Sequence, residues 1–361
     1  MKILLINTVP TEKNGITNVM FNYLTAITAD GMTFDLISLN QPDDYYVQEI
    51  ENKGGHVFVL PRLDGVFRYW KMLCNLIRKN QYDAVHIHGN SHTTILELTA
   101  AAIAGCNKRI VHAHNTTCNC VLVHKMLSPL FQLLCTHRLA CGYAAGKWMF
   151  GNKPFLVINN GVEPEKYRFN INCRKSIRNR LNIKDDEVLI GHVGLFNKQK
   201  NHTFLIDIFN LLYSIHKEYK LCLLGDGPNL KNIKNKVSEF NLQDVVIFEG
   251  AVTNVTEYLS AFDLIVMPSL YEGLPLSLIE QQANGLRCIV SDTVTSEADK
   301  TGNLSFLSLK APLEDWVQEI IKHNAKDRED ISNNAIRNIT IAGYNINEEA
   351  KKLKDIYLHL I

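Results

Sequence analysis

The sequence Pro268-Ser269-Leu270-Tyr271-Glu272-Gly273-Leu274-Pro275-Leu276-Ser277-Leu278-Ile279-Glu280 follows an apolar run, Leu264-Ile265-Val266-Met267. The run reads as a buried strand, and the proline, glycine and proline after it read as a loop. Leu276, Leu278, Ile279, Ala283 and Leu286 then recur at helical spacing, and Pro275 suits a first helical turn, where its missing N–H is no loss. Strand, loop and helix place Glu272 in the loop and Glu280 about one and a half turns into the helix. The helix N-terminus offers unpaired N–H groups at the positive end of a dipole, a natural anion site. Taken alone, two glutamates in such a unit are exposed charges. The neighbouring strands change that reading.

Val188–Val193, Leu221–Leu224, Val245–Phe248, Leu264–Met267 and Cys288–Ser291 read as strands, with helices between them. Four of them end in glycine loops: Gly194 with Lys200 at the next helix start, Gly225-Asp226-Gly227-Pro228, Glu249-Gly250, and the stretch quoted first. Gly-Asp-Gly lacks the third glycine of a dinucleotide fingerprint, so NAD is not implied. The first half alternates in the same way. Strands at Ile3–Ile6, Phe34–Leu39, Val57–Leu60, Ala84–His88, Arg109–His114 and Phe155–Asn159 are separated by helical or polar segments. Wholly apolar strands in a βα alternation predict an α/β fold with two doubly wound parallel sheets. Ligands of such sheets bind beyond the carboxyl ends of the strands, where Gly15, His88 and His114 also fall. The polar run Glu163–Cys173 sets a boundary near residue 170. The expected domains are 1–170 and 171–344, with a helix over 345–361 returning to the first domain through Leu353, Ile356, Tyr357 and Leu360.

Composition bounds the function. The chain has 361 residues, 46% hydrophobic and 21% charged, with a net charge of +1, which suits two globular domains and gives no sign of nucleic-acid binding. The N-terminal half is mildly basic and His-rich. Nine scattered cysteines, an odd number with no framework spacing, fit a reducing compartment. Cys118-Asn119-Cys120 near His112 and His114 lacks metal-site spacing, so no metal is expected. The N-terminal apolar run is too short for a signal peptide and no run is long enough to span a bilayer, so a cytoplasmic protein is expected. Residues 65–80 and 121–138 carry apolar residues among Arg68, Lys71, Arg78, Lys79, Lys125 and Arg138. Such basic amphipathic helices can lie on a membrane face. The commoner use of the stripe is to cover the sheet, and that is expected here.

A cation and a helix N-terminus can hold a diphosphate, and carboxylates can accept hydrogen bonds from sugar hydroxyls. The combination suggests a nucleotide sugar lying across the second domain. At this level the chain resembles the family 4 retaining glycosyltransferases of GT-B fold. The motifs are His192-Val193-Gly194 with Lys200-Asn201-His202, Leu224-Gly225-Asp226-Gly227-Pro228, and Pro268 through Glu280 with Gly285. The E-x(7)-E spacing of Glu272 and Glu280 within Glu-Gly-Leu-Pro is highly specific. Weaker matches lie at Gly15, Val111-His112-Ala113-His114 and Ile158-Asn159-Asn160-Gly161-Val162. The resemblance looks closest to bacterial enzymes that build capsular polysaccharide or exopolysaccharide.

The resemblance implies two Rossmann-like domains facing a central cleft, the first for the acceptor and the second for the donor. Glu272 would contact the donor sugar, with the Gly273 and Leu274 backbone. Glu280 would hold the ribose, and Lys200 would neutralise the diphosphate. Gly194 and Gly225 would line the donor site, Gly15 would approach the phosphates, and His114 would sit by the sugar. No metal or other cofactor is implied. The donor is a nucleotide diphosphate sugar, UDP favoured, and the acceptor a glycan or lipid-linked sugar, with peripheral membrane contact through the N-terminal domain. Three departures stand out. Leu195 occupies the place of an arginine that contacts the diphosphate, a loss worth on the order of 2–4 kcal/mol unless another basic residue such as Lys198 substitutes. Asn14 precedes Gly15 where a second glycine is usual, and Arg287 replaces a proline. Two other readings share these features: a nucleotide-sugar epimerase on the same fold, and a non-enzymatic partner subunit of another transferase.

Overall fold

The computed structural model describes the chain except residues 13, 29–30, 63–64, 119, 273, 323–326 and 360–361. Two compact units result, Met1–Gly161 with Gly343–Ile361, and Val162–Ala342. The division falls at Gly161, ahead of the polar run that suggests a boundary near 170, and the return to the first unit begins at Gly343. The difference has a physical reason. Residues Pro164–Tyr167 form a short 3-10 helix that packs on the second unit, where Asn284 Nδ2 donates to Tyr167 O at 2.8 Å.

In the first unit β1 (Lys2–Asn7), α1 (Gly15–Ala26), β2 (Thr33–Ser38), α2 (Asp44–Asn52), β3 (Val57–Val59), α3 (Val66–Asn80) and β4 (Ala84–Gly89) follow one another. Then come α4 (Ile95–Ile103), β5 (Arg109–Ala113), α5 (Val121–Leu134), β6 (His137–Ala140), α6 (Tyr143–Phe150) and β7 (Leu156–Val157). The strands form one parallel sheet in the order β3-β2-β1-β4-β5-β6-β7. Ile3, Leu4, Ile6, Val85, Ile87, Ile110 and Val111 are fully buried, because helices cover both faces of a parallel sheet. Helices α3, α4 and α5 lie side by side, and α1 packs beside the C-terminal helix (Ile346–His359). Leu353 and Tyr357 of that helix are buried, as expected of its apolar face, while Leu360 lies outside the described residues. Tyr357 Oη is 2.5 Å from His86 Nδ1, and Glu349 Oε2 accepts from the Asn159 N–H at 3.0 Å.

The stretch 121–138 is not one helix. It ends at Leu134, and His137–Ala140 enters the sheet as β6, a strand too short and too polar at its start to show as an apolar run. The expectation that its apolar stripe covers the sheet is overturned. Only His124 and Phe131 of α5 are buried, whereas Leu122, Met126 and Leu133 are 73%, 71% and 76% exposed. The inward face of α5 is filled by rings instead, His124 stacking on His92 at 3.7 Å and on Trp148 at 4.4 Å.

The second unit runs α7 (Ile171–Arg180), β8 (Val188–Val193), α8 (His202–Ile215), β9 (Tyr219–Leu224), α9 (Leu230–Glu239), β10 (Val246–Gly250) and α10 (Val255–Ala261). It continues through β11 (Leu264–Met267), α11 (Leu276–Ala283), β12 (Arg287–Ser291), β13 (Leu304–Leu307), α12 (Leu313–Ile321) and α13 (Arg328–Ile341). Its parallel sheet has the order β10-β9-β8-β11-β12-β13, so the four strands expected to end in glycine loops are neighbours. Strand β13 joins at the edge, where its residues are only half-buried and its apolar pattern is short. Asp263 anchors the sheet floor, accepting from Leu189 N at 2.6 Å, Arg174 Nη2 at 2.6 Å and Arg178 Nη1 at 2.9 Å. Burial alone would raise its pKa, but these partners hold its carboxylate below the usual range.

Candidate active site

The order of the second sheet reverses between β8 and β11, so the loops after these two strands diverge and open a crevice at their carboxyl ends. The sequence places Gly194 through Asn201 in one loop and Pro268 through Pro275 in the other. Hydrogen bonds tie the two loops together. Leu270 N donates to Gln199 O at 2.7 Å, and Asn201 Nδ2 donates to Pro268 O at 3.1 Å. From beneath, Ser291 Oγ and Thr293 Oγ1 donate to Ser269 O at 2.6 Å and 2.8 Å. A loop held at this many points is preorganised, so it needs little ordering when a ligand arrives.

Lys200 and Glu272 meet in this crevice, with Nζ 2.7 Å from Oε1 and side chains 15% and 7% exposed. Gln199 Nε2 donates to the other carboxylate oxygen at 3.2 Å. The lysine stem lies on Gly194, where an added Cβ would come within 3.2 Å of three of its carbons. Gly225 has φ +136°, and a Cβ there would sit 2.0 Å from the carbonyl oxygen of Gly194. Close packing of the two loops therefore requires glycine at 225. Gly15 differs: it is the first residue of α1, and a Cβ on it would meet nothing within 4 Å. Packing does not explain that glycine, and the Asn14 side chain before it caps α1 by accepting from Thr17 N at 3.0 Å.

Pro275 is the residue just before α11, and Glu280 lies inside that helix. Tyr167 Oη donates to Glu280 Oε1 at 2.7 Å. Burial raises the Glu280 pKa, while the Tyr167 bond and the Lys166 charge pull it back. Burial and then the Glu280 charge push the Tyr167 phenol up. Tyr167 is a site residue that the sequence does not disclose, since nothing marks one tyrosine in a polar stretch as the partner of a glutamate 113 positions on. Leu274 packs its side chain onto the core beneath β11 and β12. Gly273 lies outside the described residues.

Similarity to known proteins bears on which chemistry these groups serve. Residues 174–338 match the family described as Glycosyl transferases group 1. A glycosyltransferase named EpsF from Bacillus subtilis (strain 168) is 31% identical over 335 residues, spanning 88% of this chain and 86% of that protein. The chain belongs to the group 1 glycosyltransferases. An Escherichia coli UDP-Gal:alpha-D-GlcNAc-diphosphoundecaprenol alpha-1,3-galactosyltransferase is 29% identical over 80% of this chain and 78% of its own length. Anabaena Alr3699/HepE, solved in complex with UDP, shares the fold with a TM-score of 0.78 over 99% of each chain at 15% identity. The fold is accordingly GT-B, with two Rossmann-like units. The epimerase and partner-subunit readings gain no support from these relatives.

Within this glycosyltransferase the histidines of the second-unit motif are structural. His192 Nδ1 lies 2.8 Å from Val266 O, across from β8 to β11, and burial pushes its pKa down to about 4. His202 stacks on Phe196 at 4.0 Å, and burial lowers its pKa as well. Leu195 is 55% exposed at the end of β8, and Lys198 is exposed too.

In the first unit His114 stands just past β5, with Nε2 2.9 Å from His88 Nδ1 and a buried, unpaired Nδ1. Burial pushes its pKa down to about 3, so it is neutral. His86, His88 and His112 form a buried neutral group whose ligand atoms lie within 4.8 Å of one another, the one trio among the described residues with spacing that a metal could use. All nine cysteines are free thiols, and none belongs to that trio.

Proposed function

We propose that this glycosyltransferase transfers a sugar, with retention, from a nucleotide diphosphate sugar, UDP-linked in the favoured case, to a glycan or lipid-linked acceptor in capsular or extracellular polysaccharide synthesis. The observation that carries the proposal is the pairing of Lys200 with Glu272 at the switch point of the second sheet. A bound diphosphate competes for Lys200, and the freed carboxylate of Glu272 accepts hydrogen bonds from the donor sugar. Glu280 holds the ribose with Tyr167 behind it. Gly194, Gly225 and the Leu274 backbone line the same donor site. Gly15 and His114 are the first unit's contribution, His114 as a neutral imidazole. The second unit takes the donor, and the first takes the acceptor.

In the reaction the bond from the anomeric carbon to the phosphate oxygen breaks, and a bond to the acceptor oxygen forms on the same face. The leaving phosphate takes the acceptor's proton. Lys200 and the N-terminus of α11 stabilise the charge that develops on the diphosphate, so the chemistry needs no metal. The name of the Escherichia coli relative supports a UDP-linked donor and a lipid-linked acceptor. An acceptor of that kind sets the enzyme at the cytoplasmic face of a membrane, as a peripheral protein. No described helix is long and apolar enough to cross one.

A thermal-shift screen over UDP-, GDP- and ADP-sugars, followed by transfer of labelled sugar to a polyprenyl-diphosphate-linked acceptor, tests the proposal. A ligand at 100 times its Kd adds about 2.7 kcal/mol of stability. Stabilisation by a UDP-sugar and labelled product are expected. No stabilisation by any nucleotide sugar would overturn the reading.

A further inference from the structure

Four histidines share one side of the first sheet. His86 and His88 alternate along β4, His112 lies in β5 with His114 just past its end, and His88 pairs with His112 in register. The backbone of His88 is fixed from the loop after β1, where Thr8 N and Thr8 Oγ1 donate to His88 O at 3.2 Å and 2.7 Å. Its ring lies against those of His86 and His112, at 4.3 Å and 5.4 Å between centroids. His86 in turn is tied to the C-terminal helix, with Nδ1 2.5 Å from Tyr357 Oη. The His88 ring is thus held in one orientation.

One contact runs from this ring to the strand end. His88 Nδ1 lies 2.9 Å from His114 Nε2, with ring centroids 5.1 Å apart and planes only 17° from parallel. That separation is close to the most that such a contact allows. The two nitrogens therefore point at each other in the plane of both rings, as a hydrogen bond requires. Burial pushes the His114 pKa down to about 3 and that of His88 well below 6.5, so both rings are neutral. Each neutral ring carries one proton, and a bond between the two fixes both tautomers at once.

The proton between them can lie two ways. If His114 Nε2–H donates, the His88 proton moves to Nε2, an atom buried with no partner among the described residues, in a residue 2% exposed. Orphaned buried N–H groups are rarer than unused acceptors, because nothing offsets their lost hydration. If His88 Nδ1–H donates, only a bare lone pair is left inside, and the His114 proton sits on Nδ1. That nitrogen is also buried and unpaired, but it belongs to the residue just past β5, where ligands of such sheets bind. A substrate oxygen can accept from it there.

We propose that His88 is a positioning residue for transfer: its Nδ1–H donates to His114 Nε2 and so presents His114 Nδ1–H as a hydrogen-bond donor to a sugar hydroxyl oxygen. The inference rests on the reading that His114 serves the donor sugar. It adds which nitrogen acts, in which direction, and what holds it.

Proton–nitrogen correlation spectra of the full chain with isotope-labelled histidine, at neutral pH, read the tautomer, and His114→Ala assigns the signal. The Nδ1–H form of His114 is expected. Steady-state kinetics test the role. His88→Leu removes the donor and should lower kcat about tenfold or more, with KM for a UDP-sugar changed less than about twofold. His88→Asn puts an amide N–H where Nδ1–H stood and should stay within about threefold of wild type. In a His114→Ala background, His88→Leu should cost nothing further, since its effect runs through His114. Melting temperature and stabilisation by a UDP-sugar show that each variant folds and binds. The Nε2–H form of His114, or equal losses in His88→Leu and His88→Asn, overturns the inference. A loss in His114→Ala with none in His88→Leu sinks the inference alone. A wild-type rate in His114→Ala removes His114 from the reaction, and the reading of the donor site loses that residue together with His88.

Discussion

Lys200 Nζ lies 2.7 Å from Glu272 Oε1, each side chain more than four-fifths buried, so each is the other's counter-charge. The resemblance assigns the lysine to the diphosphate and the glutamate to the sugar, at two ends of one donor. The pair keeps both in place before the donor binds and avoids leaving either charge buried alone.

Glu272→Ala is therefore expected to abolish transfer, by about a thousandfold or more, while the protein stays folded. The stability cost should be about 1–3 kcal/mol, the penalty of leaving Lys200 without its partner. Initial rates with a UDP-sugar and the urea midpoint check both parts. Transfer at the wild-type rate would show that Glu272 has no role in the reaction.

Glu280 offers a trade between stability and binding. Its folded pKa is raised above the ordinary 4.5, so the folded state holds its proton to higher pH than the unfolded chain. The contribution of Glu280 to stability thus falls as pH rises through that window and stays reduced above it. Glu280→Gln should be at least as stable as wild type at about pH 7, because the desolvated charge is gone while Tyr167 still has an acceptor. UDP affinity should drop about tenfold or more, as expected for a lost hydrogen bond to a charged group. Calorimetric titration of UDP into the variant decides; equal affinity removes Glu280 from the ribose site.

Leu195 is half-exposed at the end of β8, where the resemblance has an arginine. Leu195→Arg should raise kcat/KM about tenfold or more by adding a cation near the leaving group. No gain would mean that Lys200 or Lys198 already supplies the charge.

The buried imidazoles predict acid sensitivity. Burial holds His86, His88 and His112 well below 6.5 and His114 near about 3. In the unfolded chain they take up protons near 6.5, and in the folded state they do not. Stability therefore falls as pH drops below about 6.5, by about 1.4 kcal/mol per pH unit for each such group. Urea midpoints should hold steady from about pH 8 to 7 and decline by about pH 5.5. A flat profile across that range would contradict the neutral, buried state of the cluster.

Chelation should leave transfer untouched. With Lys200 and the α11 N-terminus carrying the charge, a chelator in excess is expected to change the rate less than about twofold. A rate lost on chelation and restored by a divalent ion would point instead to the trio of His86, His88 and His112.

Most strands are legible in the sequence as apolar runs, because a strand buried on both faces must be apolar throughout. Strands β6 and β13 escape that reading. Each has only four residues; β6 opens on the polar, half-buried His137 and Arg138, and β13 is half-buried at the sheet's edge. The stripe of α5 misleads for a related reason: apolar spacing shows that a helix has a greasy face, and only packing shows which way it turns.

Chain order by itself determines the chemistry of Glu272, Glu280 and Lys200 and their places in the loops and helix that follow strand ends, because those follow from residue type and local periodicity. It does not determine the pairing of Lys200 with Glu272, the Tyr167 bond to Glu280, or the contact of Gly225 with the Gly194 backbone. Those depend on which strands are neighbours. The crossover that sets β11 beside β8 is a long-range event, decided by burial of whole faces and not by any local signal.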